Sequence, residues 1–251
     1  MKLRKFAYPL IVLLIINAAC KKNHTKNPES FSSTIYKILE SYDTTGKPNN
    51  LLKDTISGDY LSFINSILPS VDTLPFDKKN LVKSHPELFI SSAMATIPLT
   101  ESSDVYMTFV SQGAGYKNSI GFYTYPTAQP PLKSDDVKTI IYAFPSAGNN
   151  TPLKAGDKIK LGRFDAGTTI GFVVMQDGWN STTKALNNDV VHFCSNDVLN
   201  PEKEDSLKRH AVLIKYEPEH KLIFGFEDLL RTLPDCDNDF NDVVFYCTVN
   251  P

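Results

Sequence analysis

The chain has 251 residues and a formal net charge of -2, and 41% of its residues are hydrophobic and 11% aromatic. These fractions suit a globular protein with a proper core. The almost balanced charge gives no electrostatic reason to expect nucleic-acid binding. Apart from the N-terminal segments described next, roughly two hundred residues remain, which is enough for one β domain or two small units.

The first nineteen residues carry an export pattern. Three of the first five residues are basic, and an unbroken apolar run, Leu10 to Ile16, follows them. This run is too short and wrongly flanked to form a stable membrane span. No later segment is long and apolar enough to cross a bilayer. The pattern therefore predicts a signal peptide over residues 1–19.

Cys20 indicates that this signal peptide is of the lipoprotein class. Two alanines lie directly before it, and small side chains at those positions suit a lipoprotein signal peptidase, which leaves the thiol to carry a lipid. Each buried methylene of such a lipid contributes about 0.8 kcal/mol of membrane affinity. Asn17 departs from the usual aliphatic residue of this motif. The alternative is an ordinary signal peptide cleaved after Ala19, with Cys20 there by coincidence.

A tether and a partly helical region come next. Residues 20–34 are polar and predict a flexible tether between lipid and domain. Within residues 35–100, the apolar side chains from Ile35 to Tyr42 have helical spacing over a short run. The stretch from Asp59 to Leu68 has the same spacing and predicts a helix ended by Pro69.

The pattern changes after residue 100 to short runs of β-branched and aromatic residues separated by turn signals. Nine such runs predict an all-β fold, an antiparallel β-sandwich or jelly roll over residues 101–251. No ten-residue helical pattern lies between them, which argues against parallel β-α-β units. The predicted strands are Ser103 to Val110, Ser119 to Tyr125, Val137 to Phe144, Lys158 to Leu161, Thr168 to Met175, Val190 to Cys194, Ala211 to Tyr216, Lys221 to Phe226 and Val243 to Val249.

Three cysteines remain if Cys20 carries a lipid: Cys194, Cys236 and Cys247. In an oxidising compartment the simplest expectation is one disulfide and one buried free thiol, with the pairing left open. The spacing lacks a C-x-x-C motif, so a thiolate zinc site is not expected.

The densest cluster of acidic and amide side chains lies between the last two predicted strands. A loop there holds six carboxylates and two carboxamides. The carboxylates would repel one another unless a cation or water screens them. Calcium prefers such oxygen ligands. The start of the loop matches an EF-hand, but Phe240 stands where the turn glycine belongs and Tyr246 where the bidentate glutamate belongs. The sequence therefore favours a calcium site at the edge of a sandwich, with a solvated acidic turn as the alternative. The proposed metal ligands are Glu227, Asp228, Asp237, Asp239, Asn241 and Asp242.

Several ordered motifs resemble one known family. Residues 225–229 (GFEDL) and 237–245 (DNDFNDVVF) are similar to the signature of the LruC-type domain, also called domain of unknown function 4114. Upstream, residues 113–123, 166–173 and 177–179 resemble earlier motifs of its longer members. The resemblance covers roughly residues 101–250 and implies an exported β-sandwich with a calcium site, but no settled biochemical activity. An insertion at residues 230–236 departs from the family and leaves Asp235 in doubt as a ligand.

These observations together predict a lipid-anchored protein of the cell envelope with a calcium-binding, non-catalytic domain for adhesion or envelope assembly. It would face the periplasm from the outer membrane or lie on the cell surface, with a glycan or an envelope protein as partner. One alternative is a carbohydrate-binding module that uses Trp179 and Tyr123 as its ligand surface, although a single tryptophan is more often part of the core. A less favoured alternative is a carboxylate-dependent glycoside hydrolase. His210 is expected to be a strand-end histidine that bonds a neighbouring loop.

Overall fold

A computed structural model of the chain describes residues 31–68, 80–90 and 94–251. The predicted signal peptide, Cys20 and most of the predicted tether lie outside these described residues. Within the described part, two six-stranded sheets face each other, and a two-stranded hairpin accompanies them. A sandwich-like all-β fold, as the sequence predicts, is therefore confirmed.

The first sheet has the spatial order β1-β6-β5-β8-β11, and β3 also pairs with β8. All its pairs are antiparallel except β1 with β6, which is parallel. Its strands are β1 (Ile35–Ile38), β3 (Ile97–Pro98), β5 (Ser119–Pro126), β6 (Thr139–Phe144), β8 (Thr168–Met175) and β11 (His192–Cys194).

The second sheet has the order β12-β13-β14-β4-β7-β2 and is antiparallel throughout. The separate hairpin pairs β9 (Trp179–Asn180) with β10 (Ala185–Leu186). The strands of the second sheet are β2 (Leu52–Lys53), β4 (Ser103–Ser111), β7 (Asp157–Phe164), β12 (Ala211–Tyr216), β13 (Lys221–Phe226) and β14 (Val243–Asn250). Each of the nine predicted runs overlaps one of the observed strands.

The main core lies between the sheets and is rich in aromatic rings. Phe172 of the first sheet packs on Phe224 and Phe245 of the second, with ring centroids 4.6 and 5.2 Å away. All three side chains are fully buried. Because side chains alternate along a strand, Val244 and Tyr246 point instead to the outer face of the second sheet, where they join a second apolar cluster.

A helical layer covers that outer face. Ser57 caps the N-terminus of helix α1 (Gly58–Ile67), and its hydroxyl accepts a hydrogen bond from the Tyr60 N–H at 3.1 Å. Tyr60, Ile64 and Leu68 recur at every fourth residue and are buried against the sheet. The predicted helix from Asp59 to Leu68 is therefore confirmed. Two further turns, α2 (Leu81–Ser84) and α3 (Glu87–Ile90), pack against the same cluster.

The helical spacing of residues 35–42 was misleading, because β1 is a strand here. It hydrogen-bonds to the edge of β6, and Tyr36 packs on the outer face of the first sheet. Phe31, at the end of the predicted tether, is also buried there and stacks on His192 with centroids 4.6 Å apart. A short apolar run cannot distinguish a helix from an edge strand whose partner lies about a hundred residues away.

The expected disulfide is wrong for the described residues, because Cys194, Cys236 and Cys247 are all free and buried. They belong to different layers. Cys194 lies on the outer face of the first sheet, Cys247 between the sheets, and Cys236 in the acidic loop. Within the described ranges, no helix is long and apolar enough to cross a membrane.

Candidate metal site

Strand pairing brings the two ends of the acidic loop together. β13 and β14 are antiparallel neighbours, and their last pair before the loop is Phe226 with Val243. The residues that continue these strands, Glu227 and Asp242, must therefore start and finish the loop at the same edge of the sheet. This topology places carboxylates side by side although they are fifteen positions apart in sequence.

Two overlapping carboxylate groups form at this edge. Oxygens of Glu227, Asp228 and Asp242 lie within 4.8 Å of one another, and so do oxygens of Glu227, Asp237 and Asp239. Glu227 belongs to both groups. The structure thus gathers four of the other five predicted ligands around one glutamate.

Glu227 is the most constrained of these side chains. It is 1% exposed, and its Oε2 atom has no hydrogen-bond partner among the described residues. Burial, followed by the charges of Asp228, Asp237 and Asp239, raises the pKa of Glu227 to about 8. A buried carboxylate without a donor for one oxygen is costly, and a cation is one way to satisfy it.

Asp242 closes the loop from the other side. Its Oδ2 accepts a hydrogen bond from the Asp228 N–H at 2.8 Å, which fixes the two residues relative to each other. Burial raises the pKa of Asp242 well above its ordinary value, and the nearby charges of Asp228 and Glu227 add to this effect. At both ends of the loop, burial and the neighbouring carboxylates therefore destabilise the ionised form of a carboxyl group.

The middle of the loop is shaped by its own side chains. Asp237 Oδ1 accepts the Asp239 N–H at 3.3 Å, and Asp239 Oδ1 accepts the Asn241 N–H at 3.0 Å. Asn238 and Phe240 have φ values of 57° and 55°. Asn tolerates this left-handed conformation well, whereas for Phe it is uncommon. The turn directs the Phe240 ring inward, where it is fully buried and meets Phe89 edge-on at 5.2 Å.

A second layer of side chains supports Asp228 from the first sheet. Asn118 donates from Nδ2 to Asp228 Oδ2 at 2.5 Å, and Gln176 donates from Nε2 to the Asp228 carbonyl at 2.8 Å. The Asn118 side chain is fully buried, and its Oδ1 accepts the Asp177 N–H at 3.2 Å. The acidic loop of the second sheet is in this way tied to the end of the first.

His210 and Glu202 hold the other side of Glu227. His210 Nδ1 lies 3.1 Å from the Glu227 carbonyl oxygen, which only accepts, so Nδ1 carries a proton. His210 Nε2 lies 2.8 Å from Glu202 Oε1. Although burial opposes its charge, the hydrogen bond from His210 keeps the pKa of Glu202 below its ordinary value. His210 therefore links the Glu227 carbonyl to the Glu202 carboxylate, which agrees with the predicted loop-bonding histidine.

Arg231 fastens the loop to the segment before β12. Its Nε donates to Asn238 Oδ1 at 2.7 Å, and one terminal nitrogen donates to the carbonyls of Ser206 and Arg209, both at 3.1 Å. The guanidinium also lies over the Phe240 ring, 5.6 Å from its centroid. The residue belongs to the insertion at 230–236 and gives that insertion a structural role.

The remaining predicted site residues lie outside the two carboxylate groups. Asn241 is buried, and its carbonyl accepts the Gly113 N–H at 2.9 Å. Asp235 is exposed and belongs to neither carboxylate group. Trp179 and Tyr123, the predicted ligand surface, are 4% and 2% exposed. Tyr123 donates its hydroxyl hydrogen to Asn196 inside the outer cluster of the first sheet. These two rings do not form an exposed stacking platform.

Sequence reasoning missed the supporting residues Asn118, Gln176 and Glu202. Asn118 does fall within the upstream family motif, which was the available signal for it. Glu202 had a weaker signal, since a carboxylate eight positions from a histidine indicates nothing until the fold brings them together.

The fold and the site define a β-sandwich protein with an acidic, largely buried loop between its last two strands. Residues 164–250, which run from the end of β7 through β14, match the model of a family described as Domain of unknown function (DUF4114). This confirms the resemblance over that range, which includes the whole acidic loop. No curated protein matches the chain, and no solved structure matches it.

Proposed function

We propose that this protein is a lipid-anchored component of the cell envelope whose acidic loop binds calcium, and that it serves adhesion or envelope assembly without catalysis. One observation carries the metal part of the proposal. Glu227 is 1% exposed, lies in two carboxylate groups at once, and has one oxygen without a partner among the described residues. A bound cation would satisfy that oxygen and offset the repulsion within both groups.

Calcium is the divalent cation that these ligands suit best. Both groups consist of carboxylates alone, which are hard oxygen ligands and not the nitrogen or sulfur ligands typical of zinc. Calcium accepts six to eight oxygens in flexible geometry, whereas magnesium needs near-ideal octahedral geometry and keeps several waters. Five carboxylates on one irregular loop therefore favour calcium over magnesium. Extracellular calcium modules bind with dissociation constants of about 10⁻⁴–10⁻³ M, which fits an envelope location.

The same geometry supports a non-catalytic role. Glycoside hydrolysis requires two carboxyls on opposite sides of a substrate, about 5–9.5 Å apart, with different pKa values. Here the oxygens of each group lie within 4.8 Å of one another, on one loop and not on two sides of a cleft. This arrangement suits a shared cation better than a substrate cleft, and it argues against the hydrolase alternative.

Calorimetric titration of calcium into EDTA-treated, dialysed protein tests the metal proposal. We expect binding in the micromolar to millimolar range, together with a rise in Tm, because a ligand of the native state stabilises it. The double variant Asp239→Asn, Asp242→Asn should lose both effects while remaining folded, since it removes one negative charge from each carboxylate group.

Asp235→Asn is the matched control, because Asp235 lies in the same loop but is exposed and outside both groups. It should bind calcium like the parent protein. Absence of heat and of a thermal shift in the parent protein would reject the metal site, and so would equal binding by the parent and the double variant.

A further inference from the structure

A second candidate site lies beside the hairpin of β9 and β10. The hairpin and the loops around residues 115–117 and 149 enclose a cavity of about 350 Å³ that is lined mostly by polar atoms. Ligand pockets range over about 300–1,000 Å³, so this cavity suits a small ligand or the terminal unit of a longer one. The polar side chains that line it are Lys117, Asn149, Asp177, Asn180, Ser181 and Asn187.

Three asparagines of this pocket are each held by one end of the amide group. Asn180 Oδ1 accepts the N–H groups of Thr182 and Thr183, both at 3.0 Å, and Asn187 Oδ1 accepts the Asp189 N–H at 3.1 Å. Asn149 Nδ2 donates to the Gly115 carbonyl at 3.3 Å. These bonds fix the orientation of the three amides.

The other end of each amide is left for an outside partner. Within the described residues, Asn180 Nδ2, Asn187 Nδ2 and Asn149 Oδ1 form no hydrogen bond. The pocket thus offers two amide donors and one amide acceptor whose positions are set before any ligand arrives. Such preorganisation lowers the entropic cost of binding.

The charges of the pocket indicate which ligand it suits. Lys117 and Asp177 contribute one positive and one negative charge, and Lys117 Nζ already donates to Ser181 Oγ at 2.5 Å. A pocket for an anionic ligand would carry an excess of positive charge, which this pocket lacks. An apolar ligand would leave the amides unpaired. A neutral molecule with many hydroxyl groups, each a donor and an acceptor, matches the lining.

We propose that this pocket is a binding site for a neutral saccharide. The site is separate from the acidic loop, although a chain of hydrogen bonds joins the two: the Asp177 N–H donates to Asn118 Oδ1, and Asn118 Nδ2 donates to Asp228 Oδ2. Trp179 contributes part of the wall. Its ring is backed by Gly46 and meets Tyr42 edge-on at 5.6 Å, so it serves as a rigid support and not as an open platform.

The test uses a printed array of neutral and acidic oligosaccharides, probed with the full chain in calcium and again in EDTA. We expect signals from neutral glycans in at least one of the two buffers. The double variant Asn180→Asp, Asn187→Asp keeps the Oδ atoms that accept backbone N–H groups and replaces the two pocket-facing donors by carboxylate oxygens. Affinity for the glycans that bind should fall about ten-fold or more.

The control variant Asn65→Asp makes the same chemical change on the exposed face of α1, away from this pocket. It should bind like the parent chain. Thermal melting shows whether the double variant remains folded. An array without neutral-glycan signals in either buffer, or hits that the folded double variant binds as well as the parent, would overturn the proposal. Calcium titration of the same samples reports separately on the acidic loop.

Discussion

Gly225 and Phe240 approach so closely that a Cβ atom on Gly225 would lie 2.4 Å from the Phe240 carbonyl oxygen. Gly225 lies in β13, two residues before Glu227, and Phe240 lies two residues before Asp242. The end of the acidic loop, which leads into β14, therefore packs directly against β13, the strand that precedes the loop. A side chain on any other residue type would push the two arms apart.

Gly225→Ala should therefore destabilise the protein by about 1–3 kcal/mol, the usual cost of overpacking. The neighbouring atom is backbone and cannot rotate away. Urea unfolding measures the change. Gly58→Ala is the control, because a Cβ there meets nothing within 4 Å, and it should be neutral or slightly stabilising. Equal stability of the parent and Gly225→Ala would contradict this account.

The close approach at Gly225 was predictable from sequence, because a glycine inside a strand pattern marks a bulge or a backbone contact. The longer strands were also predictable from the sequence, since the alternation of apolar and polar residues and the turn residues between strands are local signals. Asn118 was not predictable as a partner of Asp228. The two residues are 110 positions apart, and only the packing of one sheet on the other brings them within hydrogen-bonding distance.

The edges of the sandwich were the least predictable part. β1, β2 and β3 are two to four residues long, too short for any period to show. Their positions depend on tertiary partners, as in the pairing of Ile35 with Thr139. The disulfide expectation failed for a related reason, because cysteine counts carry no information about which layer holds each thiol.

Glu227→Gln should have opposite effects on the metal-free and the calcium-loaded protein. Above pH 8 the Glu227 carboxyl, with a pKa of about 8, is largely ionised in its buried position. The substitution removes that charge and should raise the Tm in EDTA. The same substitution replaces the charged ligand common to both carboxylate groups by a neutral amide, so the rise in Tm on adding calcium should shrink or vanish.

Glu204→Gln serves as the control for this comparison, because Glu204 is exposed. It should leave both melting temperatures nearly unchanged. If Glu227→Gln lowered the Tm in EDTA and left the calcium effect intact, the glutamate would be a purely structural residue and the proposed coordination would be incorrect.

His192 should make the protein sensitive to acid. Its Nδ1 donates to the Val190 carbonyl at 2.8 Å, and its Nε2 lies 2.8 Å from the Tyr36 hydroxyl. Burial lowers the pKa of His192 from 6.5 to about 4. Between these values the unfolded chain binds the proton more readily than the folded chain does, so stability falls as the pH falls from about 6.5 to about 4. The loss should be on the order of 2–3 kcal/mol.

Urea unfolding at several pH values measures this slope. His192→Gln should be less stable at neutral pH but should show a flatter dependence between pH 6.5 and pH 4. His220→Asn, which changes an exposed histidine, should keep the slope of the parent protein. An unchanged slope in His192→Gln would assign the acid sensitivity to other groups.

Cys20→Ser should release the protein from membranes. If Cys20 carries a diacylglyceryl group, the parent protein should take up labelled palmitate and sediment with the membrane fraction, since acyl chains contribute about 0.8 kcal/mol per buried methylene. The variant should take up no label and appear in the soluble exported fraction. Cys236→Ser, which changes a thiol within the folded domain, should remain labelled and membrane-bound. A parent protein that is exported without label would favour an ordinary signal peptide cleaved after Ala19. Label in the Cys20→Ser variant would show that the lipid is attached to another residue.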